Sequence, residues 1–528
     1  MFVTDACWRM NGSTYDTALD ERSECAAVSA EIRREAVPLR PVLAHEAIHY
    51  IEIPDYDELN RKFDAFCARV GDKYLADNEI SRPRYFTELP RLIQRKNLTA
   101  KMPDYIQGSR IFKQMGIKTY LERLRLSQLC GYEMLQFADC LKYENKNGIV
   151  DFFDDDKYFD ADWMNSFNGD GAILAEFENE TFYYDEAVKM ILFASDFLEH
   201  PVQRGTVEVR VDGELVWCGR DVTLAGNLQK IAEVTLRFKE RTQPAKATVA
   251  ASFTSGDVKL ENSWSLWLYP RVSVTVPAEV EVDDAEAKAF FNAGGNSCSG
   301  PFITDKLNDR VFEQLESGRH VLLLYHRDRP GNQYYLPGAL ERFKPCIWDR
   351  GSNLGGFFSC GILSQAVGGG RYFEANMQPL LEAAYKVNLD KCTLPVQEHI
   401  NGIDKPVRDR MKGLVDGIKD FIDDDTLRNF SHCFSISLEN GAVLTVCTLN
   451  FNAAAVTRNF HAALINNLDA FKSEEMVSVS RLRQYVQEST DAGICREDVM
   501  NHFWEIDNKP VEDTLFWEAT GLDLSKLK

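Results

Sequence analysis

Between residues 40 and 165 short apolar runs alternate with amphipathic stretches of helical period, the pattern of strand-helix units feeding a parallel sheet. "RPVLAHE", from residue 40, predicts the first strand, and "LCGYEMLQFAD", ending at Asp139, predicts a second, buried one. Between them, "DYDELNRKFDAFCARVGDKYL" predicts a helix. Asp55 is its N-cap, Glu58 follows three residues later, and Leu59, Phe63, Phe66 and Val70 form its apolar face. "GIKTYLERLRL" continues the helical pattern, and "ENKNGIVDFFDDDK" reads as a polar loop with a short apolar insert.

From about residue 168 to 276 the period changes to two, with turn signals every ten or so residues, as in "AVKMILFASDF", "GTVEVRVDGELVWCGR" and "KATVAASFTSG". This predicts a β-sandwich, with a tight hairpin at Asp212-Gly213, where the turn needs positive φ. From about 280 to 472 an α/β pattern returns: "TDKLNDRVFEQLESG" is a helix closed by Gly318, and "RHVLLLYH" a buried strand. "SHCFSISLENGAVLTVCTLNF" reads as two strands joined at Asn440-Gly441, and "NFHAALINNLDAF" as a helix returning to them. Such a Rossmann-like layered domain suggests a nucleotide, but "VGGGRY" at 367–372 lacks the spacing of a dinucleotide loop. The tail from 473 to 528 looks helical.

Composition narrows the function. A chain of 528 residues exceeds what one core serves, so two to four domains are expected. The net charge of −21, without a dense Lys and Arg block, argues against nucleic acid and suits a neutral substrate. Thirteen scattered Cys without a C-x-x-C pair read as reduced thiols. No run reaches the ~18 apolar residues of a membrane span, and the first twenty residues lack an export signal. No membrane association is expected, and the location is cytoplasmic if Met1 is the true start.

"HEAIH", at residues 45–49, spells the zinc-protease pattern H-E-x-x-H. That chemistry needs His45 and His49 one helical turn apart, with Glu46 beside the metal. Ile48, Tyr50, Ile51 and Ile53, followed by Pro54, instead favour extended chain, and no third ligand follows at the metzincin spacing. The expectation is no metal and no cofactor, with Glu46 delivered at the carboxyl end of a strand.

Arg40-Pro41-Val42-Leu43, two residues and then Glu46 resemble the nucleophile strand of glycoside hydrolase family 2. A β-galactosidase-like subgroup is more closely similar, with His-Glu, an aromatic stretch and "PDYDEL" leading into a helix. The resemblance runs through "LCGYEMLQFADCLKYENKNGIVDFFDD" and the sandwich to "GAVLTVCTLNF". It implies retaining hydrolysis of a β-glycoside, with Glu46 as nucleophile and a second carboxyl as acid/base. His45, His49, Tyr50 and Asp139 are the candidate sugar contacts.

The fold so implied is a partial (β/α)8 TIM-barrel remnant over 1–166, an immunoglobulin-like β-sandwich over 167–276, an α/β Rossmann-like accessory domain over 277–472 and a helical tail over 473–528. The family's Asn-Glu acid/base strand lies upstream of the nucleophile, and the 45 residues before Glu46 contain no Asn-Glu. Asn78-Glu79 and Asn179-Glu180 lie downstream and do not match its place. The chain therefore reads as the carboxyl-terminal part of a larger enzyme, or as one whose barrel is completed by a second chain, with "ERSECAAVSAEIRREA" as an outer helix. Besides a carbohydrate substrate, the alternatives are a non-catalytic carbohydrate-binding or assembly protein, using Trp217, Trp264 and Trp267, and the zinc protease.

Overall fold

The computed structural model describes residues 2–5, 42–47, 50–83, 85–126, 131–134, 137–139, 147–198, 202–226, 228–326, 329–336, 353–381, 385–390, 392–404 and 427–491. His49, the expected helix before residue 37 and the tail beyond 491 lie outside these residues.

Three short strands, β1 (Phe2–Asp5), β2 (Val42–Ala47) and β3 (Gly131–Met134), pair in parallel in chain order, with β2 in the middle. β3 is half-buried, with Glu133 exposed, and so is less enclosed than its apolar flanks suggest. Helices α1 (Tyr56–Asp77), α2 (Tyr85–Arg95) and α3 (Met102–Arg125) fill the connection from β2 to β3. The cap of α1 is the expected one: the Asp55 carboxylate accepts from the Asp57 and Glu58 amides at 3.1 and 3.0 Å. Leu59 and Phe63 are buried on its predicted apolar face, and Gly71, at φ 78°, interrupts the helix after Val70.

Helix α4 (Ala161–Asn168) leads into a two-sheet sandwich. One sheet holds β4 (Gly171–Phe177), β6 (Val188–Asp196) and β9 (Leu228–Leu236). The other holds β5 (Thr181–Tyr183), β11 (Val258–Tyr269), β10 (Ala245–Ser255), β7 (Val202–Val211) and β8 (Glu214–Leu224), in that order. Ile173, Met190 and Val234 from the first sheet share a core with Val207, Val249 and Phe253 from the second. The hairpin between β7 and β8 turns at Asp212 and Gly213, with φ of 49° and 86°, as the dipeptide predicts.

The carboxyl-terminal sheet is mixed. β12 (Glu279–Glu281), β13 (Phe302–Thr304), β14 (Val321–Leu324) and β19 (Val443–Cys447) run parallel. The sheet then continues antiparallel through β18 (Phe430–Leu438), β17 (Gln397–Asp404) and β15 (Asn353–Phe358), and the short β16 (Val387–Asn388) also pairs antiparallel with β18. This antiparallel half departs from the doubly wound pattern of a Rossmann-like domain. Both faces are covered, so β14 reads as one apolar run: Val321 and Leu323 enter one core and Leu322 the other. The predicted helices occur as α6 (Asp309–Glu316), closed by Gly318 at φ 86°, and α9 (Ala455–Asn466); of the expected helical tail the described residues hold a short strand, β20 (Met476–Val477), and helix α10 (Val479–Asp491). Here α5 is Ala285–Phe291, α7 Gly361–Ala366 and α8 Gln378–Leu381.

Helix α3 touches every layer. Tyr105 and Phe357 of β15 meet edge to face at 5.8 Å, and Asp104 accepts two hydrogen bonds from Arg371, both at 2.6 Å. Lys101 Nζ lies 2.6 Å from Glu398 on β17. On the sandwich side, the Arg125 guanidinium donates to the Ser195 hydroxyl at 3.1 Å and to the Ser195 carbonyl at 3.1 Å. Gly116 on the same helix has room for no side chain, because an added Cβ would lie 2.7 Å from Cε1 of the buried Tyr50 ring.

Gly116→Ala therefore tests the packing with opposing signs. Helix propensity favours Ala by about 0.8–1 kcal/mol, whereas overpacking costs about 1–3 kcal/mol. The expected result in thermal unfolding is a lower Tm; a raised Tm would show that Tyr50 yields its place without cost.

Candidate active site

Glu46 lies on β2, the central strand of the parallel trio. Leu43 and Ala44 pair with Gly131 and Tyr132, but the next pair is Ala47 with Met134, so β2 spends an extra residue at positions 45–46. Such a bulge breaks the regular ladder at the position of Glu46. His45 and Glu46 are thus in extended chain and not on the helix that a zinc site of this pattern needs; His49 lies outside the described residues. Among the described residues, no group of three His, Cys, Asp or Glu side chains could hold a metal ion.

The chain leaving β2 runs straight into the interior: Tyr50, Ile51, Glu52 and Ile53 are all buried. The β-branched residues that argue against a helix here supply the burial, and the Ile53 amide donates to the Ser109 hydroxyl of α3 at 2.9 Å. Tyr50 packs among Phe112, Ile117 and Tyr120 of α3, a core position rather than a cleft wall.

Glu52 is the centre of a buried charge cluster. Its carboxylate lies 2.6 Å from Lys157 Nζ and 3.8 Å from Lys113 Nζ, and it accepts a hydrogen bond from the Tyr158 hydroxyl. Lys157 also reaches Asp139 at 2.8 Å. The other Asp139 oxygen accepts from the Gly148 amide at 2.8 Å, and Lys113 donates to the Gly148 carbonyl at 2.8 Å. An added Cβ at Gly148 would stand 2.4 Å from the Asp139 amide nitrogen, so only glycine lets the two segments approach this closely. The cluster ties the segment after β2 to α3, to the loop after β3 and to residues 157–158.

Burial and pairing act differently on each member. Burial alone would raise Glu52, but the Lys113 and Lys157 charges, with hydrogen bonds from Lys157 and Tyr158, hold its carboxyl below the usual range. Burial raises Asp139 by more than Lys157 and Lys113 lower it. Burial would lower Lys157, yet Glu52 and Asp139 together raise it. Lys113 is pulled down to about 7 by burial, against the attraction of Glu52, and the neighbouring Lys157 charge pushes the same way. The two amines divide the work: Lys157 keeps its proton between two carboxylates, and Lys113 gives its proton up near neutrality.

Asp139 was singled out from sequence as the end of a strand, but β3 stops at Met134 and Asp139 lies in the loop after it; Glu52, Lys113, Lys157 and Tyr158 were not singled out from sequence. A single carboxylate inside "YIEIP", or one Lys inside "RIFKQM", is a visible anomaly in an apolar context. Only the fold reveals that these anomalies answer one another. With side chains 0–7% exposed, Lys113, Glu52, Asp139 and Lys157 are closed off from solvent and tie together the segments they belong to.

No known family model matches this chain, and no curated protein does. Among solved structures it is similar to the β-D-mannosidase from Dictyoglomus thermophilum, at 18% identity over 37% of this chain and 24% of that one, with a TM-score of 0.24. It is also similar to a β-glucuronidase from Parabacteroides merdae, at 10% identity over 33% of this chain and 25% of that one, with a TM-score of 0.17. A CARDB domain from Pyrococcus furiosus matches at 10% identity over 19% of this chain and 94% of its own, with a TM-score of 0.17. Several of the matched structures are thus glycoside hydrolases, and the chain spans about a quarter of the length of the two enzymes named. Superpositions this partial carry no argument about activity.

Two measurements check the cluster. Lys157→Met leaves two buried carboxylates without their shared cation and is expected to cost about 3–5 kcal/mol in denaturant unfolding. The ordinary Lys113 value is 10.5 and the folded one about 7, so between them the unfolded chain binds a proton that the folded protein does not. This contribution makes stability rise with pH from about 7 towards 10, by at most about 1.4 kcal/mol per pH unit. Lys113→Met is expected to flatten that rise, read as Tm between pH 7 and 9; an unchanged slope would assign it to other groups.

Proposed function

We propose that this chain is a glycosidase-type protein of the family 2 kind, acting on β-glycosides by a retaining mechanism with Glu46 as nucleophile. One observation carries the reading: Glu46 lies on the middle one of three parallel strands that follow one another in chain order, with helices filling the β2–β3 connection. In barrels built from such units, the carboxyl ends of the strands collect the catalytic groups. The nucleophile strand resembling that of family 2, and the sandwich and mixed α/β region after it, support the same reading.

In this mechanism the Glu46 carboxylate attacks the anomeric carbon as the leaving-group oxygen takes a proton, and water later hydrolyses the glycosyl ester. The acid/base carboxyl, about 5–5.5 Å from the nucleophile in such enzymes, would come from outside the described residues or from a second chain completing the barrel. His45 and His49 are the proposed sugar contacts beside Glu46. Tyr50 and Asp139 support the strand from behind, since both are buried in the structure.

The test is hydrolysis of 4-nitrophenyl β-galactoside, β-mannoside and β-glucuronide. Glu46→Gln is expected to lose several orders of magnitude in kcat, and a 2-deoxy-2-fluoro glycoside should label the peptide containing Glu46, read by mass spectrometry. Full activity in the Gln variant, or a label on another carboxylate, would remove Glu46 from the role.

A further inference from the structure

Away from β2, helix α3, strands β4, β6 and β11 and the turn at residues 374–375 enclose a cleft of about 640 Å³. Its size falls in the roughly 300–1,000 Å³ range of small-molecule sites, and it sits where separate layers of the fold meet, a common position for them.

One wall is aromatic and fixed. Trp264 is half-buried, and its indole N–H is held by the Glu122 carboxylate at 3.2 and 3.3 Å. Glu122 accepts in turn from Asn262 at 2.8 Å and from Lys118 at 2.5 Å, and Lys118 also donates to Asn262 at 2.6 Å. Phe177 abuts the indole edge to face at 6.0 Å. The ring is therefore set in place before any ligand arrives, which lowers the cost of ordering on binding.

The remaining lining mixes apolar side chains, such as Ile111, Met115 and Leu266, with charged ones of both signs. Glu176 on β4 and Glu178 and Glu180 beyond it bring carboxylates to the cleft, while Arg123 on α3 and Lys189 on β6, the latter paired with Glu233 at 3.2 Å, bring positive charge. Counting the whole lining, five Glu face three Lys and Arg side chains. An anion would meet the carboxylates and a polycation the three basic groups. A neutral polyhydroxyl compound meets both kinds as partners, since each hydroxyl donates and accepts, and the C–H face of a sugar ring packs on an aromatic side chain.

We propose that this cleft is a second, non-catalytic binding site for a neutral saccharide chain, with Trp264 as its platform and Glu178 and Arg123 on its rim. It does not depend on the chemistry assigned to Glu46. A substrate chain held here would raise the local concentration of its other segments around the protein.

Isothermal titration with mannopentaose, cellopentaose and β-1,4-linked galactopentaose, with spermidine and citrate as charged controls, tests the site on the whole chain. At least one pentaose is expected to bind and to change tryptophan fluorescence, with affinity lowered about tenfold in Trp264→Leu and in Glu178→Ala, about 1.4 kcal/mol, and unchanged in Glu46→Gln. If Trp264→Leu fails to fold by circular dichroism, the exposed Glu178 and the Arg123→Ala variant carry the test. Binding of spermidine or citrate without any pentaose, no pentaose binding at millimolar concentration, or pentaose binding that only Glu46→Gln weakens would each overturn the proposal. Loss of hydrolysis in Glu46→Gln with binding retained separates failure of this site from failure of the nucleophile assignment.

Discussion

Helix α3 is the constraint on which the other layers depend. Eleven of its residues are buried, and ten of them, from Tyr105 to Leu124, follow the i, i+3, i+4 spacing of one broad face that runs the length of the helix. Such a helix cannot shift to suit one neighbour without losing another. It receives the chain leaving β2 through Ser109 and Gly116, the edge of the mixed sheet through Tyr105, and the sandwich through Lys118, Glu122 and Arg125. Glycines at 108 and 116 permit the close approaches: a Cβ at Gly108 would stand 2.5 Å from the Ile403 side chain. The cost in helix propensity is offset by packing that no larger residue allows.

The charge cluster around Glu52 is the polar counterpart of that packing. Burying two carboxylates and two amines is expensive, and a hydrophobic replacement of similar volume is often no less stable. What the ions add is direction. Each member belongs to a different segment, so the cluster closes only when the chain after β2, helix α3 and the loop after β3 are in register. This arrangement fixes the chain that leaves the bulged end of β2 against α3 and the loop after β3. The lowered Lys113 value, about 7, follows from the same geometry: burial disfavours its charge more than Glu52 supports it, and the neighbouring Lys157 charge adds to that.

The cleft beside Trp264 and the strand bearing Glu46 are built from different elements of this framework. One is lined by α3 and the sandwich, the other by the parallel trio and the chain that follows it.

Local features were legible in the sequence because their causes are local. The Asp55 cap, the Asp212-Gly213 turn, the Gly318 stop and the alternation of the sandwich strands follow from rules that act within a few residues. The choice of extended chain over helix at His45-Glu46 was also legible, since Ile48, Ile51, Ile53 and Pro54 settle it without distant help. The antiparallel half of the last sheet was not, because strand direction is set by partners dozens of residues away. Nor were Glu52, Lys113 and Lys157, whose meaning lies in one another across separations of 61 and 105 residues from Glu52. A lone charge in an apolar run has no partner in its own segment, and only the tertiary fold decides which charge answers it.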